Sequence, residues 1–103
     1  MKRLSQIETK ISLIKNQLAE IGEMRPGSLT KQYQKPKEKK RGFYQISYTY
    51  QMKSRTEYVR PEFVKQIRKQ VKEFKKFKKL IQLWTDLAIE HSKLSIKIAK
   101  GEH

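Results

Sequence analysis

The chain has 103 residues, of which 36 % are hydrophobic and 34 % charged, and it carries a formal net charge of +15. A chain this short buries only about 60 to 70 % of its unfolded surface, so a deep catalytic cleft is not expected, and the lean apolar content suits amphipathic helices that pack on one another. The absence of cysteine excludes disulfides and thiolate metal sites, and two histidines, His91 and His103, are too few for a metal cage without carboxylates. No cofactor is expected.

The first predicted element is a helix over residues 1–24. In "LSQIETKISLIKNQLAEIGEM" the apolar residues Leu4, Ile7, Ile11, Ile14, Leu18 and Ile21 recur at alternating spacings of three and four, a heptad seam. Ser5 and Glu8 have capping-box spacing, although the seam already begins at Leu4. These apolar residues are spaced rather than continuous, so neither a signal peptide nor a membrane span is expected, and the cytosol is the default compartment. A single seam needs a partner helix, from its own chain or another.

Pro26 and Gly27 end that helix, and residues 25–42 read as a basic loop. The stretch "SLTKQYQKPKEKKRG" carries Lys31, Lys35, Lys37, Lys39, Lys40 and Arg41 and is broken by Pro36. It is either an anion-binding segment or a solvated linker.

Residues 43–59 alternate as a β-hairpin, with Tyr44, Ile46, Tyr48 and Tyr50 on one face and Phe43, Gln45, Ser47 and Thr49 on the other. A turn around "QMKS" contains no glycine to set the register. A three-residue loop places Ile46 opposite Tyr58, whereas a two- or four-residue loop is expected to place Ile46 opposite Val59 and Tyr48 opposite Glu57. An isolated hairpin is marginal in water, so one face should be covered by helix. The other face can serve as core filler or can stack on nucleobases.

Pro61 starts a long helix over residues 61–100. At about 100° per residue, Val64, Ile67, Val71 and Phe74 share one stripe, while Leu80, Trp84, Leu87, His91, Leu94 and Ile98 share another on nearly the opposite side. Either the helix breaks near residues 76–80, or one straight helix is covered by the hairpin on one side and by the first helix on the other. The two seams predict a homodimer through Leu4, Ile7, Ile11, Ile14, Leu18 and Ile21 together with Leu80, Trp84, Leu87, Leu94 and Ile98.

The charge is concentrated. Residues 25–79 hold eighteen Lys and Arg against four acids, whereas residues 80–103 are balanced at three of each. Concentrated positive charge attracts a polyanion. Lys65, Arg68, Lys69, Lys72, Lys75, Lys76 and Lys79 fall on one helical face without an acid among them, and such a face repels itself unless neutralised. The predicted function is therefore nucleic-acid binding, DNA before RNA, through phosphate contacts with weak sequence specificity. The candidate contacts are Lys37, Lys39, Lys40, Arg41, Arg55, Lys65, Arg68, Lys69, Lys72, Lys76 and Lys79. A DNA partner implies a nucleoid-associated cytoplasmic protein. The alternative is a coiled-coil adaptor whose lysines dock an acidic protein. Adsorption to an anionic membrane fits residues 61–79 in part, but the hairpin claims their apolar stripe.

An enzyme is not expected. His91 lies on an apolar stripe, Tyr33 and Tyr50 lack the surrounding arginines or histidines of a nucleophile, and the four glycines are scattered rather than gathered into a phosphate loop.

"MRPGSLTKQY", "YQISYTY" and "YVRPE" followed by a basic helix resemble a family of short prokaryotic proteins with an uncharacterised domain. Its members often show Arg-Pro-Gly-Ser-Leu, a cysteine cluster, Tyr-Gln-Leu-Ser-Tyr-Thr and Tyr-Val before a charged helix. The resemblance covers about residues 24–98. Here "QKPKEKKRG" replaces the cysteine cluster and Met52 the usual turn glycine, so any metal-stabilised loop is lost. The family implies no established activity; its members resemble accessory factors of mobile elements or chromatin. The expected fold class is α+β: a coiled-coil helix, a basic loop, a β-hairpin and a long or broken helix in a single domain.

Overall fold

Three antiparallel strands in the order β1-β2-β3, flanked in sequence by two helices, make an α+β chain. The computed structural model describes residues 2–35 and 40–101. The elements are α1 (Lys2–Ala19), β1 (Ser28–Lys35), β2 (Lys40–Tyr50), β3 (Lys53–Val59), a 3₁₀ turn (Pro61–Phe63) and α2 (Val64–Ala99). They fall into two compact units: residues 22–75, and the residues up to 21 together with those from 76 onward.

In the first of these units the sheet packs on the start of α2. Ile46, Val59, Val64 and Val71 form the buried cluster, with Leu29, Tyr44 and Ile67 against it. Each such apolar side chain contributes about 1.5–3 kcal/mol when fully buried. Strand β1 corrects the expectation of a loop over residues 25–42. Leu29, Lys31 and Tyr33 alternate with Ser28, Thr30 and Gln32, and Leu29 pairs with Ile46. Lys31 is exposed, and its ammonium lies 5.5 Å from the Tyr33 ring and 5.6 Å from the Tyr44 ring. Ahead of β1, the Arg25 amide donates to the Gln70 carbonyl at 3.1 Å, and Gln70 Nε2 donates to Glu23 at 3.2 Å, which ties this segment to α2.

The hairpin register differs from both anticipated ones. The loop is the two residues Gln51 and Met52, with Tyr50 opposite Lys53, so Ile46 faces Glu57 and Tyr48 faces Arg55. Gln51 (φ 52°) and Met52 (φ 66°) both adopt left-handed backbone, the geometry of a type I′ turn. Glu57 consequently sits on the helix-facing side, where Arg25 pairs with it while lying 5.4 Å from the Tyr48 ring. Met52 is 99 % exposed and packs on nothing. Replacing Gln51-Met52 by Asn-Gly is therefore expected to stabilise the hairpin by about 0.5–2 kcal/mol. Thermal unfolding followed by circular dichroism checks this, and a lowered midpoint would refute it.

Helix α2 runs unbroken from Val64 to Ala99, so of the two alternatives left open by the sequence, a break near residues 76–80 or one continuous helix, it is the continuous helix. No glycine or proline interrupts it, Pro61 opens the turn that leads into it, and Gly101 at φ +78° closes it.

In the second unit α1 lies antiparallel to the later part of α2. Arg3 forms a bidentate pair with Glu90 (2.5 and 2.8 Å), Glu8 meets His91 Nε2 at 3.2 Å, and Lys15 lies 5.3 Å from the Trp84 ring. The Arg3 guanidinium holds the Glu90 carboxyl below its ordinary range, chiefly by hydrogen bonding. Ile7, Ile14 and Leu80 are buried, and Leu4, Ile11, Leu18, Ile21, Trp84, Leu87, Leu94 and Ile98 are half-buried. Within one chain the two seams face each other and leave most of their residues half-buried. Helix α1 ends at Ala19, short of the expected Met24, and because it begins at Lys2, Ser5 lies inside the helix instead of capping it.

Candidate nucleic-acid interface

The cationic face is built by α2. In the sheet-bearing unit Val64, Ile67 and Val71 turn one side of the helix to the sheet. Lys65, Arg68, Lys69, Lys72 and Lys75 then fall within an arc of about 120° on another side. All five are exposed. Lys76 and Lys79, in the other unit, are also exposed. None of the seven takes part in an ion pair among the described residues. Cations at steps of three and four on one face raise the local positive potential.

The strand cations are arranged differently. Arg55 is exposed on β3 opposite Tyr48, whereas Arg25 and Lys31 are engaged with Glu57 and with tyrosine rings. Of the remaining expected contacts, Lys40 and Arg41 open β2, and Lys37 and Lys39 lie outside the described residues.

The sheet surface turned away from α2 has a different chemistry. Ser28, Thr30 and Gln32 of β1, Phe43, Gln45, Ser47 and Thr49 of β2, and Ser54, Thr56 and Tyr58 of β3 share it by register, and none carries a charge. Phe43 and Tyr58 meet there with ring centroids 6.4 Å apart and planes tilted by 44°. Tyr58 is 62 % exposed. The Ser47 and Thr56 hydroxyls lie 3.4 Å apart across β2 and β3. Sequence reasoning missed the β1 part of this surface, although the alternation of Ser28, Thr30 and Gln32 with Leu29, Lys31 and Tyr33 carried the signal.

The described residues contain no group of three or more His, Cys, Asp or Glu able to hold a metal, and no helix among them is long and apolar enough to cross a membrane. No family model, curated protein or solved structure matches the chain. The resemblance to the short prokaryotic family therefore rests on the quoted motifs alone.

Proposed function

We propose that the protein is a binding protein for nucleic acid, DNA before RNA, that grips phosphates with the cationic face of α2 and reads little sequence. The observation that carries this is the run of exposed cations at positions 65, 68, 69, 72 and 75 without a carboxylate partner among the described residues. Lysine supplies six of the seven positions when Lys76 and Lys79 are included. It acts as a point charge and, unlike a bidentate arginine, contributes little to base recognition.

The uncharged outer face of the sheet adds a surface of another kind. One residue in three of this chain is charged, yet none of the ten positions on this face within residues 28–32, 43–49 and 54–58 is. Hydroxyls, amides and two aromatic rings suit bases, which are the neutral part of a nucleic acid. Phe43→Ala combined with Tyr58→Ala is expected to weaken binding to a single strand about 10- to 100-fold, the loss of one or two stacked bases, and to leave duplex binding unchanged.

The test is fluorescence anisotropy with duplex DNA, single-stranded DNA and RNA of matched length, each at several salt concentrations. Tight binding with a log K against log salt slope of several units supports phosphate contact. No binding at low salt overturns the reading and directs attention to an acidic protein partner.

A further inference from the structure

Helix α2 carries a second apolar stripe in the unit that contains α1, and α1 leaves it open. Ile81 is 38 % exposed, Ile89 51 % and Ile96 53 %. With Trp84, Thr85, Ala88 and Ser92, Ile81 and Ile89 line an open groove of about 440 Å³. Exposed isoleucines at helical spacing are uncommon on a surface otherwise rich in charge, and apolar faces of this kind mark association sites.

The order of residues along the stripe identifies the occupant. Read from its midpoint between Ala88 and Ile89, six residues of the stripe match in both directions by residue class, whereas Trp84 at the groove's edge corresponds to Lys93. Ala88 matches Ile89, Thr85 matches Ser92, and Ile81 matches Ile96. An isologous two-fold contact requires this, because residue i must meet residue j while j meets i. A second copy laid antiparallel places Ile81 against Ile96 at each end, hydroxyl against hydroxyl one turn in, and the small Ala88 at the centre where the backbones approach most closely.

The charges agree with that arrangement. Asp86 and Lys93 lie on the same flank of the stripe, and the same flanks face each other in an antiparallel pair, so Asp86 of each copy meets Lys93 of the other. Between residues 80 and 92 there is no lysine or arginine, and two such segments approach without cationic repulsion. We infer that the protein forms an antiparallel homodimer through Ile81, Ala88, Ile89 and Ile96 of α2, a surface distinct from the seam that α1 occupies.

Because the chain has no cysteine, single-cysteine variants test this directly. Ala88→Cys sits beside the two-fold axis and is expected to form a disulfide-linked dimer on mild oxidation. Ile81→Cys alone is expected not to cross-link, since its two copies lie about 22 Å apart along the axis. An equal mixture of Ile81→Cys and Ile96→Cys is expected to cross-link. Cross-linking by every single variant indicates a parallel or non-specific contact and overturns the proposal. So does a solution mass of 12.4 kDa for the unmodified chain where the dimer requires twice that value. Ile89→Asp is expected to halve the mass with helical circular dichroism retained; an unchanged mass with retained helix overturns the proposed surface.

Discussion

Changing Lys69, Lys72 and Lys76 together to alanine is expected to lower the slope of log K against log salt by about 2.7 for duplex DNA. Each phosphate neutralised releases condensed counterions and contributes about 0.9 to that slope. The three side chains are exposed and have no acidic partner among the described residues, so their removal breaks no ion pair described there. Alanine is also the best helix former, so the helix itself should be retained. The slope is the decisive quantity. A loss of affinity at unchanged slope would mean that these lysines act through structure, and unchanged binding would remove them from the interface. The triple variant also separates the nucleic-acid reading from the adaptor reading. An adaptor loses affinity for an acidic protein and has little affinity for bare DNA to lose.

Gly27→Ala is expected to destabilise the sheet-bearing unit by several kcal/mol, about 1–3 from backbone strain and a similar amount from overpacking. Gly27 has φ +139°, a conformation that side-chain-bearing residues rarely adopt, and a Cβ there would stand 2.7 Å from Ile46 Cγ1 and 3.1 Å from the Ser47 carbonyl. Ile46 is fully buried at the centre of the core cluster and has no direction in which to yield. Gly42→Ala is the informative contrast. Its Cβ would also meet an atom at 2.7 Å, but that atom is Cε of Lys31, the far end of a flexible side chain, with the Tyr33 ring next at 3.2 Å, and a cost smaller than at Gly27, about 1 kcal/mol, is expected. Amide hydrogen exchange in β2 and thermal unfolding distinguish the two. Equal effects of both substitutions would show that Gly27 is not held as described.

Much of the secondary structure was legible in the sequence. The seam from Leu4 to Ile21 announced α1, and the Tyr44, Ile46, Tyr48 alternation announced β2. Pro61 with a glycine-free run to Lys100 announced α2. The cationic face was legible for the same reason: a helix has one period, so seven cations at steps of three and four land on one side wherever the helix is placed. What was not legible required knowledge of partners. Strand β1 is polar and lysine-bearing, so its alternation was a weak signal that its pairing with β2 makes decisive. The hairpin register was hidden because neither Gln51 nor Met52 has a side chain that prefers the left-handed turn it adopts.

The sequence by itself determined the periodicities, the concentration of charge and the absence of cysteine chemistry, because these depend on residue type and spacing alone. Only the tertiary structure decided which apolar stripe is satisfied and which is left open. The seam of α1 is covered by Leu80 and its neighbours within the chain, while Ile89 and Ile96, equally apolar, remain exposed. Burial is a property of what lies opposite a side chain, and one chain's periodicity records that a face needs covering without recording what covers it.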